Sequence, residues 1–598
     1  MALVFIWYEY IIVAVYILII LGIGVYFSRK GSASVDDYFL GGQSMPWWVL
    51  GISFMTSNLD LTGTMVIASF FAMVGLKGFL VELRGGTCLP IALFMVFMAK
   101  WHRRAGVMTL AQWMEFRFGK DRGSRAARLV SAIGVVVMVL GMATYFCVGF
   151  GKFLSLYFPF SPSTCAIIFT SIATLHILYS GLYGVAFTDV LQGVMILFTV
   201  IAISYLAYGV DLDQNTLHAA WSKLGTPNMT WASWTSIQPS WLMEFPKAYS
   251  GYNLFGVLLS FWSLRIFLEG FGGPLIPYAT QRFFAARDER DAALTTCTTL
   301  GLFVIRWPLI IGVAVLGLSL GASIPNDPEM VFPSVVSTYF PVGMRAVIVS
   351  CLIAAAMSTF DSTINAGGAY IVIDIYQRFI NPDASGARLM RLSVISTIGI
   401  TVVCLLAASF IERINVIWSW ISMGFFGGLA VPLILRWYWD RFNGWGYTMG
   451  TIVGMLAAIV QGIAFPDWPE YATLGLTSLI SLATCMIATF ATSPTEAQVV
   501  ADFYHITRPF GFWDRARRLV PADEVASIRS ENRWDLLSGG VGLAGFFFFF
   551  LSPMYLVIHM FTESVLYLAI ALVAAVILYF TWYRRLAPGH SPVSNMRK

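Results

Sequence analysis

Apolar runs of about twenty residues recur from one end of this chain to the other, each long enough to cross the hydrocarbon core of a bilayer. About fifteen segments meet that length. Inside lipid every backbone N–H and C=O must find a partner within the protein, so a chain of such runs is restricted to bundled helices. Composition agrees: 12% of the 598 residues are charged, against about 25% in an ordinary soluble domain. The fold class expected is an all-α integral membrane protein, with the lipid bilayer as its solvent.

The first run ends just before Arg29 and Lys30. A basic flank on that side, with no small-residue cleavage site behind it, marks a retained helix and not a signal peptide. The positive-inside rule then places the N-terminus outside. Alternate loops bear this out, because Lys100, Arg103 and Arg104, then Arg117 to Arg128, then Arg282, Arg287 and Arg290, then Arg388 and Arg391, then Arg436 and Arg441 all fall on one side. The opposite loops are poor in Lys and Arg: 211–249 has only Lys223 and Lys247, and 322–342 has neither residue. An odd number of spans puts Arg584 and Arg585 in the cytoplasm, as expected for a multi-pass protein of the cell membrane. The net charge of +5 belongs to this asymmetry; without a basic stretch interleaved with aromatics it does not indicate nucleic-acid binding. Seven cysteines, none in a C-x-x-C pair, indicate neither a disulfide framework nor a zinc site. Asn228 stands in an N-x-T sequence, a pattern that chance supplies often.

Two of the runs are interrupted. "TSNLDLTGT" (56–64) breaks the run 47–75, and "GFGGP" (270–274) breaks the run 251–278. If the first helix is counted as zero, the breaks fall in helices one and six. The two halves then lie in opposite orientations, the inverted-repeat arrangement of secondary transporters, whose discontinuous helices surround a midplane site. Two unrelated kinks would give the same spacing. The chain divides into an N-terminal extra helix (1–30), a first five-helix repeat (45–210), an outside loop (211–249) and a second, inverted repeat (250–440). Accessory helices (441–492), a cytoplasmic loop (493–533) with one or two surface helices, and C-terminal helices and tail (534–598) complete it.

One helix carries a polar cluster that lipid should reject, "AAAMSTFDSTINAGG" (354–368). Ser358, Asp361, Ser362 and Asn365 follow i, i+3, i+4, i+7 and share one face, with Thr359 and Thr363 beside it. Oxygen atoms clustered in this way suit a hard cation, and the break at 56–64 adds carbonyls at Thr56 and Leu59. Hydroxyls bonded back to their own helix would be the plainer explanation; Asp361 shifts the balance, since an ionisable group within the membrane marks function by default.

With these residues in view, "DDYFLGGQSMPWWVLGISFMTSNLD", "GLYGVAFTDVLQGVMILF" and "AAAMSTFDSTINAGGAYIVIDIYQRF" resemble the sodium–solute symporter family, which includes sodium–glucose, sodium–proline and sodium–sialic acid carriers. The resemblance covers roughly residues 9–440. It implies a leucine-transporter-like architecture of two inverted five-helix repeats, with one extra N-terminal helix and about four C-terminal ones. It also implies Na+ as the coupling ion, held by the carbonyls of Thr56, Leu59 and Ala355 and the hydroxyls of Ser358 and Thr359. The family's T-D-x-x-Q aspartate matches Asp189, which with Asp361 and Ser362 would form a second sodium site. For Asp189 a plain helix-start contact is the alternative; two facing carboxylates without a cation would hold a proton, which keeps proton coupling open.

The solute is less legible. Candidate contacts are Asn58, Asp60 and Gly63 at the break, Glu82 and Arg84 on helix two, Glu269 on helix six and Trp418 on helix ten. Arg265 and Glu269, at i, i+4, can bond to each other; Arg84 can snorkel or pair structurally; Trp418 and Trp420 can be packing residues. The aromatic pair that sugar carriers of the family show before the "QR" of helix six is absent here. The function expected is sodium-coupled import of a small polar solute (a sugar, sugar acid or related carboxylate) by a chain acting as a monomer. Alternatives are a proton-coupled or amino-acid or monocarboxylate symporter of the same fold, and further off a sensor or channel. No nucleophile–base pair suggests an enzyme.

Overall fold

The structure, a computed structural model, describes residues 4–31, 35–43, 45–86, 88–274, 276–411, 414–466 and 468–586. The side chains of Arg29 and Lys30 lie outside the described residues. Among the described residues the chain is built from helices, with no β-strand. Fourteen helices among the described residues are long and apolar enough to cross a membrane. The short pieces Pro90–Leu93, Phe94–Met98 and Ala99–Arg104 run end to end and supply one further crossing.

The helix Pro162–Tyr208 has 47 residues. At 1.5 Å per residue it would extend about 70 Å, more than twice the hydrocarbon core of about 30 Å. It is two spans joined at Gly181, whose φ of 54° is open to glycine at little cost. With that division each repeat has five spans. The first begins with Trp47–Asn58 and Leu61–Val74, separated by non-helical backbone at Leu59 and extended backbone at Asp60. The second begins with Phe255–Gly272 and Pro277–Ala285, separated by a stretch in which Gly273 has φ 88°. Both sequence breaks are therefore real discontinuities at matching places in two inverted repeats. One helix, Trp7–Gly31, precedes the repeats, and four accessory helices follow: Gly444–Ala464, Glu470–Ala491, Ala522–Val557 and Phe561–Thr581.

Burial separates core from periphery. The span Met344–Ile380, which carries the serine-rich cluster, is 94% buried over its most apolar stretch, while the last span, Phe561–Arg585, is 17% buried. The helix Met344–Ala369 packs against Trp47–Asn58 and against Pro162–Tyr208, so its polar face looks into protein and not into lipid. The cytoplasmic loop expected at 493–533 contains two short helices, Ala497–Thr507 and Asp514–Arg517. The boundary expected at 533/534 falls inside the continuous helix Ala522–Val557, because the polar sequence ahead of the apolar run keeps helical spacing and adds turns at the helix's start.

Gly428 and Gly454 bring the spans Ile417–Tyr438 and Gly444–Ala464 into backbone contact. A Cβ at Gly428 would lie 2.3 Å from the Gly454 carbonyl oxygen, and one at Gly454 would lie 2.0 Å from that of Gly428. Such small-residue seams are how membrane helices approach closely. Gly428→Leu should cost about 1–3 kcal/mol through overpacking, read as a lowered thermal midpoint of the purified protein.

Candidate functional site

The polar face of Met344–Ala369 is satisfied residue by residue. Ser358 donates to Thr56 Oγ1 at 3.4 Å and stands 3.3 Å from Ser57 Oγ. Ser362 is 2.9 Å from Ser57 Oγ. Asn365 Oδ1 accepts from Gln281 Nε2 at 2.7 Å. Thr359 donates to the Ala355 carbonyl of its own helix at 3.1 Å. Leu59 and Ala355 line one small void together. The residues expected to hold a cation are thus gathered on the two sides of one junction, the end of the broken helix Trp47–Asn58 and the hydroxyl face opposite. The expected ligands there are carbonyl and hydroxyl oxygens, the hard donors that a cation such as sodium takes.

The expected second site is arranged differently. Arg282, fully buried, reaches in from Pro277–Ala285 and places Nη2 2.8 Å from Ser53 Oγ, 2.7 Å from Ser57 Oγ and 2.8 Å from Ser362 Oγ. The same nitrogen is 3.6 Å from the Asp189 carboxylate, which also accepts from Ser53 Oγ. Two of the three residues expected around a second sodium, Asp189 and Ser362, therefore share a guanidinium. The third, Asp361, turns away to His176, with 2.6 Å between Oδ2 and Nδ1. The reason is economy of charge: a buried carboxylate takes a donor within reach, here His176, while Arg282, expected in a cytoplasmic loop, reaches into the bundle.

Beside this junction is a cavity of about 50 Å³, lined by Asn58, Asp60, Gly63, Glu82, Tyr145, Tyr278, Arg306, Thr359 and Trp418 with several apolar neighbours. At roughly 10–15 Å³ per water it has room for several small groups. Five of the seven expected solute contacts meet here. Asp60 caps the helix Leu61–Val74, accepting from Gly63 N at 2.6 Å, and also accepts from Tyr145 Oη at 3.2 Å. A Cβ at Gly63 would fall 2.6 Å from Asp60 Oδ1, so this glycine leaves room for the carboxylate. Glu82 pairs with Arg306 at 3.1 Å. Tyr278 donates to Asn58 Oδ1 at 3.1 Å, and the rings of Tyr145 and Trp418 pack at 5.0 Å.

Arg84 and Glu269 do not reach the cavity. Arg84 pairs with Glu470 at 2.7 Å and donates to Asn415 Oδ1 at 2.6 Å; Glu269 pairs with Arg265 at 2.7 Å. An unpaired charge at such depth is expensive, and each found a structural partner. Sequence reasoning missed Arg306, Tyr145 and Tyr278. Arg306 carried a signal, a lone arginine inside the apolar run "LFVIRWPLIIGV", whereas nothing distinguishes the two tyrosines from other membrane aromatics.

Comparison with known proteins places this geometry. A family model described as the sodium:solute symporter family matches residues 38–454. The sodium/glucose cotransporter of Vibrio parahaemolyticus is 23% identical over 482 residues, covering 75% of this chain and 83% of that protein. The high-affinity proline transporter PutP of Bacillus subtilis is 23% identical over 453 residues, covering 73% and 88%. In fold, the chain is similar to the solved structure of a Na+-coupled sialic acid symporter in a substrate-bound outward-open state, with a TM-score of 0.64 at 19% identity, covering 82% of this chain and 99% of the other. The chain belongs to the sodium:solute symporter family.

Proposed function

We propose that the protein is a sodium-coupled symporter importing a small polar organic solute by alternating access. Na+ would bind between the break at Leu59 and the hydroxyl face of Met344–Ala369, through the carbonyls of Thr56, Leu59 and Ala355 and the hydroxyls of Ser358 and Thr359. The solute would occupy the cavity beside it. One observation carries this reading: the two sites share walls. Thr359 lines the solute cavity while its neighbour Ser358 contacts Thr56, and Asn58, within the break, also lines the cavity. A cation that fixes this junction orders the cavity wall, so each ligand raises the affinity of the other by the same factor.

The Asp189–Arg282 arrangement favours one sodium over two, because a cation supplied by the protein already stands between Asp189 and Ser362. All of these residues come from one chain, so a monomer suffices. The basic loops favour an outside N-terminus and a cytoplasmic C-terminus.

Sodium binding is measurable without knowing the solute, from the rise in thermal midpoint as sodium is titrated. The double variant Ser358→Ala, Thr359→Ala should raise the half-saturating sodium concentration about tenfold or more, a loss of about 1.4 kcal/mol or more, at unchanged expression. An unchanged midpoint titration would remove the cation site from this junction, and stabilisation by acid alone with no response to sodium would favour proton coupling. The wild-type titration should have a Hill coefficient near one; a coefficient approaching two would restore the second site. Asp189→Asn should destabilise the protein by about 3–5 kcal/mol by leaving a buried guanidinium uncompensated. Adding Arg282→Gln should recover part of that loss, and a strictly additive double variant would show that the pair is not coupled.

A further inference from the structure

Three charged side chains line the cavity: Asp60, Glu82 and Arg306. Glu82 and Arg306 are 3% and 5% exposed and pair with each other at 3.1 Å, so together they contribute no net charge. Asp60 is left over. It accepts from a backbone N–H and a phenol; among the described residues no Lys, Arg or His forms an ion pair with it, and Arg306, which acts on it electrostatically, is already paired with Glu82. It is also less buried than Glu82 and Arg306, on the side of the break that faces the cavity. With two carboxylates and one guanidinium on its walls, the cavity carries one negative charge in excess, and an unbalanced charge within a membrane span is costly.

We propose that the transported solute carries a positively charged nitrogen and sets it against Asp60, between the rings of Tyr145, Trp418 and Tyr278. This rests on the reading of the cavity as the solute site. The walls suit such a group. Cations bind over the faces of Trp and Tyr within about 6 Å of the ring centroid, and Tyr145 and Trp418 form a packed corner beside Asp60, with centroids 5.0 Å apart. Asn58 and Thr359 remain to bond the solute's neutral polar groups. A carboxylate solute fits badly, since it would meet two carboxylates and an arginine already neutralised by one of them. A neutral polyol would leave that excess negative charge unbalanced. The sodium junction does not fill this need, because its contacts run through Thr56, Ser57 and Ser358 and none involves Asp60.

The test uses purified full-length protein in lipid nanodiscs and matched probes: choline against 3,3-dimethylbutan-1-ol, glucosamine against glucose, and glucuronate and acetate as anions. Thermal midpoints are titrated with and without sodium. The cationic member of at least one pair should stabilise the protein in sodium, at a half-saturating concentration about tenfold or more below those of its neutral partner and the anions. Asp60→Asn should abolish that discrimination while keeping the fold, because asparagine is an equally good helix cap and can still accept from Gly63 N. Neutral or anionic probes that bind as well as the amines, amines that give no shift, or discrimination that survives Asp60→Asn would each overturn the proposal. So would an Asp60→Asn variant that loses sodium affinity while treating all probes as the wild type does, since the charge would then serve the cation site. Neutral probes stabilising only in sodium would sink this inference and leave symport standing, whereas a complete absence of sodium dependence would sink symport itself.

Discussion

One guanidinium holds the centre of this molecule together. Arg282 belongs to the second broken span, the hydroxyls of Ser53 and Ser57 to the first, and Ser362 to the serine-rich helix between them. A single buried cation thus joins three spans from both repeats at the level of the helix breaks, and Asp189 from a fourth span balances its charge. In water such a cluster would be worth little. In a low-dielectric interior it is consequential in the other sense, because removing any one partner strands the rest. The broken spans are therefore held in register by polar atoms that have no other place to go.

That register sets the two proposed sites side by side. Helix termini and unwound backbone are tolerated at membrane depth only where protein or a polar cavity takes up their free groups. Here the break at Leu59 and Asp60 serves both purposes. Upstream, Thr56 and Ser57 meet the serine-rich helix; downstream, Asp60 caps Leu61–Val74 and opens onto the cavity. A shift of the broken helix against Met344–Ala369 would disturb both sites at once. Coupling in this fold needs no long-range pathway, since the two ligands would lie on opposite sides of two peptide units.

Much of this was legible in the sequence because membranes enforce simple rules. The apolar runs gave the spans, and the breaks at 56–64 and 270–274 gave the repeats, since few residue types interrupt a membrane helix without cause. Asn58, Asp60 and Gly63 followed from their place in the first break, whereas Glu82 stood out as a charge on helix two and Trp418 as an aromatic on helix ten. Pairing was not legible. Periodicity puts Asp361 on the face with Ser358 and Ser362 but is silent on His176, 185 positions away. Arg84 and Glu269 looked like solute contacts because both are charged and deep, yet their partners Glu470 and Arg265 make them structural. Which charge is spent on packing and which is left for a ligand depends on distances that only the folded chain defines.

The accessory helices bear on the same question of what can move. Glu470, at the start of the helix Glu470–Ala491, accepts from Arg84, from Tyr252 at 3.1 Å, from Trp262 at 2.8 Å and from Ser419 at 2.8 Å. At the far end of the same stretch of chain, Lys100 pairs with Glu531 at 3.0 Å and Asp535 at 2.8 Å, and Arg104 with Glu531 at 2.9 Å, all on the helix Ala522–Val557. The segment from Arg84 to Arg104 is thus clamped at both ends by helices outside the repeats. Glu82 and Arg306 stand on this anchored side of the cavity, and the junction of Ser57 and Ser358, bridged by Arg282 through Ser57 and Ser362, stands on the other. On the proposed alternating-access cycle the clamped wall would be the fixed part, and any movement at the junction would have to carry Arg282 and its hydroxyl partners along, because stranding a buried guanidinium is costly.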